Sequence, residues 1–144
     1  MFATFLLLLL TVVSGIKCIA LVQPPVMVVK PGESFSVPCK ITGYSATSTC
    51  TNWIRHKSGQ ALEWIGWYCS SSNTGSIDSL KNKIRFSAEA SSNTVILHGQ
   101  NFQSEDTAVY YCAEWGDGYY SYFDYWGKGT QVTVTSAVQS APKS

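Results

Sequence analysis

Apolar and polar residues alternate in short runs along most of the chain, and turn residues separate the runs. Phe35, Val37, Cys39 and Ile41 alternate with Ser36, Pro38 and Lys40. A period of two puts the first set on one face of a β-strand and the second on the other. Proline has no N–H for a ladder, so Pro38 predicts an interruption or an edge in that strand. Val26 to Val29 reads as a strand leading into the turn Lys30-Pro31-Gly32-Glu33. Trp53 and Arg55 alternate with Ile54 and His56, and Lys57-Ser58-Gly59-Gln60 turns the chain into a return strand from Leu62 to Tyr68. Ser70 to Ser76 reads as a Ser/Asn/Gly loop. Ile84, Phe86 and Ala88, then Val95 and Leu97, form a second hairpin about Ser91-Ser92-Asn93. Gln103 to Asp106 predicts a short helical turn, and the last strand is Thr130 to Thr135 with Val132 and Val134 inward. No segment holds a helical period. The expectation is an all-β sandwich of two antiparallel sheets.

The first residues differ from this pattern. Met1 to Gly15 has an apolar core from Phe5 to Val13. That is short of the roughly 20 residues a membrane span needs, and it has the length of a secretion signal's apolar region. Small residues at Cys18 and Ala20 suit cleavage after either. The expected division is a signal over 1–18, one domain over 19–136, and a linker or the start of a further domain over 137–144. The formal net charge of +1 makes no case for nucleic acid or for a membrane surface. No second long apolar stretch is present, so no membrane contact is expected of this segment.

Secretion changes how the cysteines read. Cys18 leaves with the signal, and Cys39, Cys50, Cys69 and Cys112 remain. An even set in an oxidising compartment predicts disulfides, and four cysteines allow three pairings. No C-x-x-C pair is present, and His56 and His98 sit at no ligand-like spacing, so neither a metal nor another cofactor is expected. Catalysis is not expected either. The two histidines lie away from the loops, and Glu114, Asp117 and Asp124 carry no catalytic motif.

Cys39, Trp53 and Cys112 have the spacing of a tryptophan packed on a disulfide between two sheets, and Tyr110 stands two residues before Cys112, where a tyrosine corner needs it. The chain ends its last loop with Trp126-Gly127-Lys128-Gly129-Thr130. These residues, with Trp53-Ile54-Arg55 and Leu62-Glu63-Trp64-Ile65-Gly66, closely resemble the immunoglobulin variable-set family from about Ile19 to Ser136. The leading Trp126 resembles heavy-chain joining segments, whereas light chains and most T-cell-receptor chains start that motif with Phe. The stretch from Gly99 to Ala108 is most similar to bony-fish heavy chains. The resemblance implies a V-type sandwich and a Cys39–Cys112 disulfide. It further implies antigen recognition shared with a light-chain variable domain, on a protein secreted or held on the outer face of a B cell. A variable-set innate or T-cell-type receptor is the alternative.

The same resemblance assigns surfaces. Ile54, His56, Leu62, Trp64, Tyr111 and Trp126 fall where the family meets its light chain; His56 stands where most heavy chains carry Gln. Three loops, about 44–51, 67–76 and 113–125, are expected to gather at one end. Candidate antigen contacts are Tyr44, Ser48 and Thr49 in the first, Trp67, Tyr68, Ser71 and Asn73 in the second, and Trp115, Asp117, Tyr119, Tyr120 and Tyr122 in the third. Tyr and Trp offer rigid amphipathic area at low entropy cost, with Gly and Ser between them for adaptability. The family's fold places Cys50 beside Cys69, which implies a disulfide tying the first two loops. Glu114 stands where the family has Arg or Lys paired with an Asp near the loop's end, here Asp124. Two carboxylates cannot form that bridge, so a more extended or more mobile loop base is expected. Lys83 and Asp106 match a basic residue and an Asp that pair in the family and are read here as a structural pair; were it exposed, it would contribute little.

Overall fold

The computed structural model describes residues 18–115 and 123–136. Its strands are β1 Ala20–Val22, β2 Val26–Val29, β3 Phe35–Thr42, β4 Thr51–His56, β5 Glu63–Ser70, β6 Asn73–Ser76, β7 Ile84–Glu89, β8 Thr94–Gly99, β9 Ala108–Trp115, β10 Phe123–Trp126 and β11 Thr130–Val134. One sheet runs β1-β3-β8-β7; the other runs β2-β11-β9-β4-β5-β6, with β10 also on β9. The inward sets read from the alternation meet between the sheets. Val37, Ile41, Trp53, Ile65, Leu97, Phe102, Tyr110 and Val132 are fully buried there. Gln103 to Asp106 does hold a 3-10 turn, at Ser104–Asp106.

Three local expectations change. First, the sheets are not purely antiparallel: β2 lies parallel to β11. Pro24 and Pro25 separate β1 from β2 and carry the chain from one sheet to the other. Second, Pro38 interrupts nothing on the β8 side, where it sits in register with Ile96. The interruption falls on the other side, where pairing with β1 stops at Lys40. Third, most of the Ser70–Ser76 loop is strand, because β6 pairs back on β5. Gly75 makes this possible: a Cβ there would come within 2.5 Å of the Trp67 ring.

Beneath the core, Asp106 organises the end away from the loops. Its side chain is 4% exposed and takes Lys83 Nζ at 2.7 Å and Arg55 Nη1 at 3.4 Å. It also accepts the Gln103 backbone N–H at 2.9 Å. The structural Lys83–Asp106 pair is therefore half of a buried node. Burial raises the Asp106 carboxyl, but the Gln103 N–H, Lys83 and Arg55 outweigh it and hold the group below its ordinary value. Tyr110 donates its hydroxyl to the Asp106 carbonyl at 2.6 Å and closes the tyrosine corner. Burial pushes that phenol up to about 12, so it stays a donor at any physiological pH.

Candidate functional site

The strand directions bring the loops together. β3 ends, β4 begins, β5 ends, β6 begins, β9 ends and β10 begins at the same end of the sandwich. Thr51 lies opposite Tyr68, so the next residue of each strand toward that end, Cys50 and Cys69, are neighbours. They form a disulfide with Cα atoms 4.1 Å apart, joining the first loop to the β5 end. A second disulfide, Cys39–Cys112, crosses between the sheets with Cα atoms 6.4 Å apart. Trp53 lies beside Cys112 in register and stacks on Phe86 at 5.7 Å.

Asn93 fixes the first loop, a role the alternation did not reveal. Its φ is 51°. Its amide donates to the carbonyls of Ile41 and Tyr44 at 2.8 and 2.7 Å, and its Oδ1 accepts the Ala46 N–H at 2.7 Å. A small amide residue tolerates the left-handed region that this grip requires. The sequence signal was the Ser91-Ser92-Asn93 turn itself, but not its reach of some 50 residues back along the chain.

The candidate antigen contacts divide. Ser48, Thr49, Ser71 and Asn73 are exposed at the loop end. Trp67 is half-buried, stacks on Trp64 at 5.7 Å and donates its indole N–H to Asn73 Oδ1 at 3.0 Å. Tyr68 is a correction: it is 8% exposed and belongs to the core. A register shift in the β4–β5 ladder between Trp53 and Ile54 puts Trp64 and Trp67 on one face and turns Tyr68 to the other. Tyr44 is also drawn inward, packing on the core with its hydroxyl buried beside Glu114. Trp115 ends β9. The Trp115 side chain and Asp117, Tyr119, Tyr120 and Tyr122 lie outside the described residues.

Glu114 explains the inward pull. It follows Cys112 by two on β9 and so faces the sandwich interior, 3% exposed. Thr51 donates to it at 2.6 Å and Thr49 at 3.1 Å. No cation pairs with it among the described residues. The loop base is extended, with Trp115 opposite Phe123, but it is not straight, since the register shifts between Phe123 and Tyr125. Trp126 donates its indole N–H to the Phe123 carbonyl at 2.6 Å across that shift.

Burial lifts the Glu114 carboxyl above its ordinary value, and the hydrogen bonds from Thr51 and Thr49 with the nearby Tyr44 hydroxyl offset only part. A carboxyl with a higher pKa in the folded than in the unfolded chain lowers stability at pH above both values. That deficit disappears as pH falls below the unfolded value. Glu114→Gln keeps an acceptor for Thr51 and removes the charge. The variant is expected to have a higher urea midpoint than the parent at about pH 7.5 and an equal one at about pH 4. A midpoint that is no higher at the upper pH would show that the carboxylate is well compensated.

Opposite the core, the seven-stranded sheet presents an aromatic face. Leu62, Trp64 and Trp126 are 58%, 42% and 39% exposed. Tyr111 meets Trp126 edge-on at 5.8 Å, and Asn52 Oδ1 accepts the Trp64 indole N–H at 3.1 Å. His56 is half-buried on this face. Ile54 is a correction, being 3% exposed. It sits on β4 between β5 and β9, in register with Trp64 and Tyr111, so it supports the face from beneath.

Gln23 was missed in the sequence and matters most for the joining motif. Its amide donates to the Tyr110 carbonyl at 2.8 Å, and its Oε1 accepts the N–H groups of Cys112 and Gly129 at 3.2 Å each. A Cβ at Gly127 would come within 2.1 Å of that oxygen. Gly129 has φ +90°. The segment from Trp126 to Thr130, which joins β10 to β11, carries one residue more than its partner from Ala113 to Tyr110, a bulge that the two glycines accommodate. A lone polar residue before Pro24-Pro25 was the only sequence sign of Gln23.

Among the described residues no helix is long and apolar enough to cross a membrane, and no cluster of three His, Cys, Asp or Glu could hold a metal. The Immunoglobulin V-set domain model matches residues 22–135, and the chain belongs to that family. Its relatives include the mouse Ig heavy chain V region MOPC 315, 44% identical over 91% of this chain and 96% of the relative. The Xenopus laevis Ig heavy chain V region XIG14 is 43% identical over 75% of this chain and 79% of the relative. The IgW heavy chain V region W26 of Heterodontus francisci is 40% identical over 84% and 99%. The function these relationships support is antigen recognition by a heavy-chain variable domain.

Proposed function

We propose that the chain recognises antigen as the heavy-chain half of a combining site, with a light-chain variable domain covering the aromatic face of the seven-stranded sheet. The observation that carries the pairing is the exposure of Leu62, Trp64 and Trp126 on one face. Contiguous large apolar groups of this kind are a liability on a monomer and a normal anchor set at an interface. His56 and Tyr111 border them, and a histidine there can donate or accept across the contact. The domain binds rather than catalyses.

Antigen is met by Ser48, Thr49, Ser71, Asn73 and Trp67, together with the third loop's Trp115, Asp117, Tyr119, Tyr120 and Tyr122. Tyr44 and Tyr68 hold the loops from below. The Cys50–Cys69 bond ties two loops before binding, which lowers the ordering entropy that binding must overcome. Residues 1–18 act as the secretion signal, 19–136 form the domain, and 137–144 are a linker or the start of a further domain. The product is secreted or displayed at the B-cell surface.

Mixing the chain with light-chain variable domains and following sedimentation velocity tests the pairing. A one-to-one heterodimer is expected, and Trp64→Ala is expected to weaken it by roughly 2 kcal/mol, about thirtyfold. A chain that stays monomeric with every light chain tried, or a heterodimer indifferent to Trp64→Ala, would sink the pairing and favour a variable-set receptor that works without a light chain.

A further inference from the structure

The four-stranded sheet has an outer face that the proposed function does not use. Ser36 on β3, His98 on β8 and Arg85 on β7 lie side by side in register. Their strand neighbours Val37, Leu97, Ile84 and Phe86 are buried, so alternation turns all three away from the core. His98 is held between two hydroxyls, with Nε2 2.7 Å from Ser87 Oγ and Nδ1 3.3 Å from Ser36 Oγ. A hydroxyl can donate or accept, so this grip accommodates the ring in either protonation state.

Beside this row is a hollow of about 440 Å³. Lys81, Lys83 and Arg85 line it, three of the chain's ten Lys and Arg residues, although the whole chain carries a net charge of only +1. Lys83 is committed to Asp106. Lys81 and Arg85 make no ion pair among the described residues. No carboxylate lines the hollow; the remaining polar lining is hydroxyl, amide and imidazole, from Ser34, Ser36, Asn82, Gln100 and His98. The acids around it are Asp106, paired with the lining Lys83, and Asp78, in an adjoining depression that shares Lys81 and Arg85.

We propose that this hollow, at the end of the sandwich away from the loops, binds a tetrahedral oxyanion, a sulfate or phosphate group. Arg85 supplies the planar fork that suits two anion oxygens, and Lys81 a second charge. The Ser36 hydroxyl, which accepts from His98 Nδ1 when the ring is protonated, can turn its own O–H toward the anion and add a donor on the sheet. The site lies on the opposite sheet from the aromatic face, so it is available whether or not a light chain is bound.

His98 also reports on the site. Burial and then the neighbouring Arg85 hold its pKa below the ordinary value. Arg85 and Lys81 are the cations lining the hollow beside it, with Lys83 offset by Asp106. A bound anion screens Arg85, favours the imidazolium and raises that pKa.

The experiment is a proton NMR pH titration of both histidines in the full chain, with sodium sulfate in the millimolar range against sodium chloride of equal ionic strength. Sulfate is expected to raise the His98 pKa saturably and to leave His56, on the other sheet, unmoved. Arg85→Gln, at an exposed position, is expected to raise the His98 pKa without sulfate and to weaken sulfate binding roughly tenfold. The proposal is overturned if His98 responds to sulfate no more than to chloride, if His56 moves equally, or if Arg85→Gln binds sulfate as tightly as the parent. Repeating the titration with inorganic phosphate and with a sulfated disaccharide separates the two sources of the group. Tighter binding of the disaccharide places the oxyanion on a larger glycan, and equal binding identifies a free ion.

Discussion

Replacing both Cys39 and Cys112 with alanine is expected to lower the unfolding free energy by about 4 kcal/mol. The bond closes a separation of 73 residues, and loop-closure entropy rises with the logarithm of that length. The sulfurs are fully buried with Trp53, so their loss also leaves unfilled volume in the core. A domain of this size has roughly 5–15 kcal/mol in total, so the variant should be marginal at 37 °C. Urea unfolding of parent and double variant, followed by tryptophan fluorescence, measures the difference. A loss below about 1 kcal/mol would mean that the unfolded chain is already compact enough to make the link redundant.

Asp106→Ala is expected to cost about 3–5 kcal/mol, nearly as much, although it removes one small side chain. Arg55, with its side chain 7% exposed, would lose one of its two carboxylates and keep only Glu63 at 2.6 Å, itself 45% exposed. The Gln103 N–H and the Lys83 ammonium would lose their acceptor as well. The pH dependence separates this from a packing defect. Because the folded carboxyl lies below its ordinary value, its contribution is present above the unfolded pKa and is lost as pH falls through the folded one. The cost of Asp106→Ala should therefore be greatest near neutrality and shrink under strong acid. A cost that is the same at neutral and strongly acid pH would assign it to packing alone.

Much of this was legible from alternation. The inward sets Val37, Cys39 and Ile41, then Val95 and Leu97, then Val132 and Val134, are the buried ones. Period-two patterning reports which face is covered, and it does so wherever a strand stays regular. It failed where the ladder shifts. The irregularity at Trp53 and Ile54 changes the phase of β5, so Tyr68 turned inward against the loop assignment. It was also silent on polar residues that act at long range. Gln23, Asn93 and Asp106 each bind backbone or charge far along the chain, and no local pattern encodes a partner some 50 to 100 residues away. Glu114 was singled out for the bridge it cannot make. The partners it does have, Thr49 and Thr51, come from the neighbouring first loop and were visible only once β4 and β9 were paired.

Antigen recognition by a rearranged heavy chain makes a direct prediction about transcripts from the same animal. Sequencing many that share this framework through Tyr110-Tyr111-Cys112 and resume at Trp126-Gly127 tests it. The segment between, residues 113–125, should differ in length and sequence from one transcript to the next while its flanks stay fixed. One identical segment in every transcript would contradict antigen recognition of this kind and make the domain a fixed receptor module.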